Sequence, residues 1–230
     1  MKNKLRVSYT TLNMWNSGDY DGCVKAYFKI DQIETKAMRE GKEWHKKWAD
    51  YIVANKSFPI EFVGDKKFME PKTELKLVAS LGRRIDLVGV IDLYDKPLII
   101  DWKTGKKSSE AYASGEQMGV YGVLATLSKL FVDRAELWHY DQYNKKSDMS
   151  IVWITDQVLK DAHNWIMTHA GEMMTYFEQN DLWKKFGPET KDCSQCDYLL
   201  EHKSGISQKG NKYDAWFCQS NNSDHNIWLN

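Results

Sequence analysis

The chain has 230 residues, of which 42% are hydrophobic and 28% are charged, and its 32 basic residues balance its 32 acidic ones. This length and apolar content suffice for one substantial α/β domain. A net charge of zero argues against a protein that holds duplex DNA by bulk electrostatics. The chain has no apolar run of about 18 residues and no apolar stretch behind its charged start, so we expect neither a membrane span nor a signal peptide, and a cytoplasmic location.

The first part of the chain carries helical patterns. Residues 8–11 have the character of a helix N-cap region, and residues 16–21 then interrupt the pattern before Cys23. Apolar side chains recur at helical spacing over residues 35–55, which predicts a long helix. His45 lies within this segment.

Beyond residue 60 the pattern changes to strands, and later elements alternate between the two types. The predicted strands are residues 73–79, 84–93, 97–103, 135–140 and 150–154, and the predicted helices are residues 116–130 and 155–179. A turn at Asp95-Lys96-Pro97 joins the second and third strands into a hairpin. A polar loop is expected at residues 142–148, and no regular element is predicted after Pro188.

Three ionisable residues lie around the predicted hairpin turn. Asp92 precedes the turn, and Asp101 and Lys103 follow it two positions apart, so their side chains point to the same face of a strand. Trp102 lies between them and is expected to face the core on the other side. Two carboxylates beside an ammonium suit a metal-dependent phosphodiester hydrolase, because the acids hold a hard cation and the lysine orients water. The alternative is a surface hairpin with solvated ion pairs.

Three motifs in order resemble the PD-(D/E)XK nuclease superfamily and, within it, the RecB-type group. They are Gly89-Val90-Ile91-Asp92, Asp101-Trp102-Lys103-Thr104-Gly105, and Gln117 with Tyr121. The resemblance implies a single domain with a restriction-endonuclease-like α/β fold, a mixed central sheet flanked by helices, and a nuclease core at about residues 60–155. It also implies that Gln117 and Tyr121, one helical turn apart, position DNA and the catalytic groups. Without the resemblance, plain helix surface and core would be their more usual role.

The same resemblance implies a metal site. His45, Asp92, Asp101 and the backbone carbonyl of Trp102 are expected to bind one or two Mg²⁺ or Mn²⁺ ions. His45 enters this set because Gly41 and His45 match a G-x-x-x-H segment of the iron–sulfur members of the RecB-type group. A packed or surface histidine is the alternative.

Glu74 is a weaker candidate for the metal site. Such nucleases often have an acidic residue upstream of the core, but Glu74 starts a predicted strand. A charge at a strand edge is therefore our expectation for Glu74.

The four cysteines also resemble a family pattern. Cys23 precedes the nuclease core, and Cys193, Cys196 and Cys218 follow it, as in AddB-type nucleases and CRISPR-associated RecB-like exonucleases. The resemblance implies a [4Fe–4S] cluster that joins segments at about residues 8–30 and 188–220, although four thiolates equally suit Zn²⁺. The family places its last cysteine soon after the C-x-x-C pair, where this chain has His202. We favour Cys218 as the fourth ligand, and unrelated free thiols are the remaining alternative.

The resemblance implies a DNA exonuclease that acts on single strands or duplex ends. The chain has no G-x-x-x-x-G-K-[ST] motif, so unwinding would require a helicase or recombination partner. Recombination, repair, phage replication and CRISPR adaptation all remain open as the biological role. Two alternatives are a structure- or sequence-specific endonuclease of the same superfamily and a non-catalytic, metal-stapled DNA-binding module.

Overall fold

The structure is a computed structural model. It describes residues 4–30, 34–59, 61–62, 66–105, 116–183, 200–206, 212–218 and 227–229, and for the last three ranges it describes the backbone only. The chain divides into two compact units, residues 6–9 with 34–168, and residues 1–5 with 10–33 and 169–230.

The described residues form helices and strands in alternation. The helices are α1 (Tyr9–Asn16), α2 (Tyr20–Phe28), α3 (Lys36–Asn55), α4 (Glu116–Leu127) and α5 (Asp156–Gln179). The strands are β1 (Leu5–Val7), β2 (Lys72–Leu81), β3 (Ile85–Asp95), β4 (Leu98–Thr104), β5 (Arg134–Asp141), β6 (Lys146–Trp153), β7 (Leu200–Ile206), β8 (Lys212–Cys218) and β9 (Ile227–Leu229). None of the described helices has the length and apolar character needed to cross a membrane.

A six-stranded mixed sheet organises the larger unit. Its order is β1-β3-β4-β5-β6, and β2 pairs antiparallel with β3 outside this path. The β3–β4 and β5–β6 pairs are antiparallel, whereas β4 and β5 are parallel. A parallel pair needs a crossover connection, and α4 lies in that connection. The predicted fold class, a mixed central sheet flanked by helices, is therefore confirmed.

Residues of β4 alternate between two hydrophobic clusters, one on each face of the sheet. The cluster that includes α3 contains Trp48, Ile52, Phe58, Phe62, Phe68, Leu93, Leu98, Ile100, Trp102, Trp138 and Tyr140. The cluster that includes α4 contains Ile91, Tyr94, Ile99, Met118, Ala125, Val132, Ala135, Leu137 and Ile154. The Trp102 side chain is fully buried, which confirms the prediction that it faces the core. Asp101 and Lys103 alternate with Trp102 and so belong to the α4 side.

Most predicted elements are present, with three corrections. Strand β1 was not predicted, and β6 begins at Lys146, so the expected polar loop is shorter than residues 142–148. The region after Pro188 contains the antiparallel sheet β7-β8-β9, where no regular element was expected. The sequence does contain a signal for two of these strands, because Tyr213, Ala215 and Phe217 alternate along β8 and all three residues of β9 are apolar.

The smaller unit has an aromatic core between α1, α2 and the C-terminal part of α5. Trp15 packs edge-on against Tyr176 with ring centroids 5.3 Å apart. Tyr27 makes a similar contact with Phe177 at 5.0 Å. Edge-to-face packing of this kind adds stability beyond the burial of apolar area.

Two glycines in helices provide a matched test of how closely α4 packs against α5. A Cβ atom at Gly119 would lie 2.9 Å from the Cβ of Ala162, whereas one at Gly171 would meet nothing within 4 Å. We expect Gly119→Ala to lower the free energy of unfolding by about 1–3 kcal/mol because two helix backbones must separate. Gly171→Ala should instead raise it by about 0.5–1 kcal/mol through helix propensity. Urea denaturation of both variants measures the difference, and equal effects would contradict the close helix contact.

Candidate active site

Strand β3 loses its regular pairing at Asp92. The β2–β3 ladder pairs Thr73 with Leu93 and Leu75 with Ile91, which places Glu74 opposite Asp92 without a regular pair. Glu74 has a φ of 51°, in the left-handed region that a non-glycine residue enters at an energetic cost. The alternation along β3 also breaks here, because Ile91 belongs to the α4-side cluster and Leu93 to the α3-side cluster. The strand is therefore distorted where its acidic residue lies.

Strands β3 and β4 separate at the same point. Their ladder runs from Asp95 and Leu98 to Leu93 and Ile100 and ends there. One step further, Asp92 and Asp101 would face each other. Instead, the Asp92 carboxylate accepts a hydrogen bond from the backbone N–H of Trp102 at 2.9 Å. A side chain thus replaces a ladder bond, and both carboxylates are brought to one place between the strands.

The Asp101 carboxylate is held by three side chains. Its Oδ2 atom lies 2.7 Å from Lys103 Nζ. Its Oδ1 atom accepts a hydrogen bond from Gln117 Nε2 at 3.0 Å, and the same amide group donates to the Tyr121 hydroxyl at 3.1 Å. The predicted motif residues Asp101, Lys103, Gln117 and Tyr121 therefore meet in one network.

Burial dominates the electrostatics of this network. Asp101 is 1% exposed, and desolvation raises its pKa to about 6, against the opposing charge of Lys103. Burial and the charge of Asp101 also raise the pKa of Tyr121 well above its usual value, so its phenol stays protonated. The site holds buried acids that a nearby cation would stabilise in their charged form.

Helix α3 places His45 beside Asp92. Its Nδ1 atom lies 3.5 Å from Asp92 Oδ1. Burial alone would lower the pKa of His45, but the hydrogen bond to Asp92 and the charge of that carboxylate raise it overall. Gly41 lies one turn earlier on α3, and a Cβ there would make an ordinary contact with Thr104 Oγ1 at 3.4 Å.

His45, Glu74 and Asp92 form a candidate metal site. Each offers one ligand atom, and these atoms all lie within 4.8 Å of one another. One imidazole nitrogen and two carboxylate oxygens are donors that Mg²⁺ and Mn²⁺ accept. Both the donor chemistry and the strained backbone at Glu74 fit a divalent cation in this position.

Glu74 is an exposed charge on β2, as the sequence predicts. It also lies opposite Asp92, and its ligand atom lies within 4.8 Å of those of His45 and Asp92. A signal for this position exists in the sequence. Counting outward from a three-residue turn at Gly82-Arg83-Arg84 places Glu74 opposite Asp92 in a regular hairpin.

The two remaining predicted metal ligands are Asp101 and the backbone carbonyl of Trp102. Asp101 is not part of the group formed by His45, Glu74 and Asp92, since its oxygens contact Lys103 and Gln117. The backbone of Trp102 lies where β3 and β4 separate, and the role of its carbonyl as a ligand stays a prediction.

An open cleft of about 660 Å³ leads to the metal site. Helix α3 forms one wall and β2 the other, and His45 and Glu74 lie in the lining. Lys42 and Lys46, one turn apart on α3, also line the cleft. This arrangement places ammonium groups along an approach to the acidic centre.

The cysteine prediction is tested only at Cys23. This residue lies in α2 and is fully buried, and its Sγ donates to the Thr11 carbonyl at 3.3 Å. Burial raises the pKa of Cys23 to about 12, which favours the protonated thiol in these surroundings. Cys193 and Cys196 lie outside the described residues, and Cys218 is described only through the backbone of β8. The cluster therefore stays a prediction.

The chain is similar in sequence to one family model and in structure to several solved proteins. The model of the PD-(D/E)XK nuclease superfamily matches residues 23–199. A similar solved structure is an alkaline exonuclease from Laribacter hongkongensis, with a TM-score of 0.47 and 10% identity over 77% of this chain and 93% of that one. Another is a phage-related exonuclease from Haemophilus somnus 129PT, with a TM-score of 0.45 and 12% identity over 72% of this chain and 82% of that one. No curated protein matches the chain.

The burial of Asp101 predicts a pH dependence of stability. A carboxyl whose pKa is about 6 in the folded chain and about 3.9 when unfolded contributes stability that is full below the unfolded pKa and is lost as pH rises through the folded pKa. Relative to Asp101→Asn, the metal-free wild type should lose roughly 2 kcal/mol of unfolding free energy between pH 4 and pH 7. Urea denaturation with a chelator present measures this. Parallel pH curves for the two proteins would contradict the buried, protonatable state of Asp101.

Proposed function

Because the chain belongs to the PD-(D/E)XK nuclease superfamily, we propose that it is a divalent-metal-dependent deoxyribonuclease that acts as an exonuclease on single-stranded DNA or duplex ends. Nucleases of this superfamily use divalent metals, and the fold implies DNA as the substrate. The proposal of a specific hydrolytic activity depends on the residues at the point where β3 and β4 separate.

One observation carries the proposal. Asp92, Asp101 and Lys103 are brought together where two strands separate, with Lys103 Nζ 2.7 Å from Asp101. Two buried carboxylates without a further cation would be costly, since each charge loses hydration. The arrangement therefore suits catalysis on an anionic phosphate better than it suits a structural ion pair.

His45, Glu74 and Asp92 would hold a divalent cation, and Asp101 would face it from the other side of the strand break. When bound, the cation supplies Lewis-acid stabilisation of the negative charge that develops on the phosphate. Nδ1 of His45 accepts or donates depending on its protonation, and only the neutral ring offers a free lone pair to a metal.

Lys103 positions the attacking water in this proposal. Its ammonium donates hydrogen bonds to the water and to a phosphate oxygen, and its charge opposes the charge that builds on the phosphate. The oxygen of water forms the new bond to phosphorus and releases one proton to solvent. The bond to the leaving sugar oxygen breaks, and that oxygen takes up one proton from solvent, so the sum is the addition of one water. Gln117 fixes the Asp101 carboxylate through Nε2, and the hydroxyl of Tyr121 fixes the amide orientation of Gln117.

The cleft between α3 and β2 suits the approach of a polynucleotide backbone. Lys42 and Lys46 line it together with His45 and Glu74. Lys46 can contact a phosphate, and Lys42 can do so by exchanging its ion pair with Glu34. Contacts to phosphates carry no sequence information, so cleavage through this path would be independent of sequence. The QxxxY pair supports exonuclease over endonuclease action, because it is a feature of the RecB-type resemblance.

The proposal also includes a zinc ion or iron–sulfur cluster bound by the four cysteines. The backbone register pairs Leu200 with Cys218 and His202 with Trp216. Leu200 follows Cys196 by four residues, so Cys218 lies at the end of the β7–β8 hairpin that the C-x-x-C pair enters. This register favours Cys218 over His202 as the remaining ligand.

Lys103→Met tests the proposed chemistry. The variant keeps a side chain of similar length but removes the ammonium, so we expect Mg²⁺-dependent cleavage of linear single-stranded DNA to fall by about 10²-fold or more. End-labelled linear and circular substrates of the same sequence measure both the rate and the need for an end. Lys160→Met on the surface of α5 is the control and should leave the rate unchanged.

The outcomes separate the candidate functions. Cleavage of the circular substrate would favour an endonuclease. Retained turnover in Lys103→Met would overturn the assigned role of the lysine. DNA binding without hydrolysis in the wild type would point to a non-catalytic binding module.

Glu74→Gln tests the metal site independently of turnover. The amide keeps the shape of the side chain but removes one negative charge, so we expect the affinity for Mn²⁺ to fall roughly 10-fold or more. Isothermal titration calorimetry at pH 7.5 measures the dissociation constant directly. Glu43→Gln, an exposed residue of α3, is the matched control. Equal affinities in both variants would remove Glu74 from the ligand set.

A further inference from the structure

A second concave site lies between α4, α5 and β6, next to the catalytic network. It has a volume of about 330 Å³, and its lining includes Glu116, Gly119, Val152, Val158, Asp161 and Trp165. Most of this lining is apolar, and two carboxylates lie in it. The volume is at the lower end of the roughly 300–1,000 Å³ typical of small-molecule sites.

The pocket shares one turn of α4 with the catalytic network. Glu116 lines the pocket and its neighbour Gln117 donates to Asp101 at 3.0 Å. Helix geometry turns adjacent residues by about 100°, so one turn presents Gln117 to Asp101 and Glu116 to the pocket. A group bound in the pocket would therefore lie close to the phosphate that the network serves.

Trp165, in the pocket lining, packs against Tyr9, whose pKa responds to the charge of the catalytic lysine. Tyr9 and Trp165 have ring centroids 6.0 Å apart with an interplanar angle of 30°. Burial is the main cause that raises the pKa of Tyr9, and the charge of Glu116 raises it further. The charge of Lys103 lowers it, so Tyr9 lies within electrostatic range of both groups. The half-buried Trp165 offers a ring surface at the pocket wall.

We propose that this pocket binds a nucleobase of the substrate strand, stacked on Trp165, with Asp161 and Glu116 accepting hydrogen bonds from amino groups of the base. An apolar pocket with one aromatic wall suits any base, because every base has a π face. Carboxylates accept from the N4 amino group of cytosine, which thymine lacks. The pocket therefore prefers cytosine over thymine next to the scissile phosphate. This assignment rests on the proposed function, and it identifies how the strand is held at that site.

The catalytic network and the pocket can be tested separately, because binding in EDTA needs no hydrolysis. The probes are fluorescein-labelled ten-residue oligo(dC) and oligo(dT), titrated with the full chain at pH 7.5 and followed by fluorescence anisotropy. We expect wild-type protein to bind oligo(dC) more tightly than oligo(dT). Trp165→Ala should weaken both by about 10-fold through loss of stacking, and Trp165→Phe should retain most of the affinity.

Trp153→Ala is the matched control for Trp165→Ala. Trp153 is 61% exposed at the end of β6, and its neighbour Val152 is the residue of that strand that faces the pocket. We expect Trp153→Ala to bind both oligonucleotides as the wild type does. Equal losses in the two variants would overturn the pocket assignment.

Asp161→Ala provides a test that does not depend on a core aromatic, because alanine removes the acceptor oxygens. Asp161 is exposed on α5, where its Oδ1 accepts from Gln157 Nε2 at 2.8 Å, so the substitution leaves the fold intact. The variant should show a reduced preference for oligo(dC) over oligo(dT) while keeping its affinity for oligo(dT), since Glu116 remains as the other acceptor. An unchanged preference would exclude Asp161 as a base contact. Base-dependent binding by a protein that cleaves no DNA would instead leave the pocket standing and overturn the nuclease function.

Discussion

The hydrogen bond from the backbone N–H of Trp102 to the Asp92 carboxylate is the interaction on which the site depends. It replaces the ladder bond that β3 and β4 would otherwise share, so the strands can separate without leaving this buried donor unpaired. An unpaired buried N–H costs about as much as a lost hydrogen bond. The same carboxylate that satisfies the backbone therefore also holds the two strands apart, and structure and chemistry depend on one side chain.

The strand break also decides which helix reaches which acid. Beyond it, Asp101 faces the α4 side and meets Gln117, whereas Trp102 enters the cluster that packs against α3. Asp92 lies at the break and is reached by His45 from α3. The two acids thus receive partners from opposite faces of the sheet. Substituting Asp92 would affect the approach of both helices, and not one ion pair alone.

The parts of the site that follow from strand alternation could be predicted from the sequence. A period of two is enough to place Asp101 and Lys103 on one face and Trp102 on the other. The position of Glu74 beside Asp92 was not predicted, because it depends on the pairing register of β2 with β3 and on a left-handed backbone at Glu74. The sheet β7-β8-β9 was missed for another reason, since the polar composition of the whole region outweighed the apolar residues of β8 and β9 in the prediction. Long-range contacts such as Trp165 beside Tyr9 depend on the tertiary fold and leave no local signal.

Among the described residues, acidic groups at the strand break outnumber the basic groups that contact them directly. Glu74, Asp92 and Asp101 bring three carboxyl groups together, Lys103 and His45 contact two of them, and Lys76 acts on Glu74 through its charge. The elevated pKa of Asp101 is the consequence, because burial and the neighbouring acid Asp92 together outweigh the attraction of Lys103. Proton uptake can relieve this excess of negative charge, and so can a divalent cation, which also suits the oxygen and nitrogen donors present. Protons and metal therefore compete for the same excess charge, which ties the stability of the sheet at β3 and β4 to the occupancy of the site that it forms.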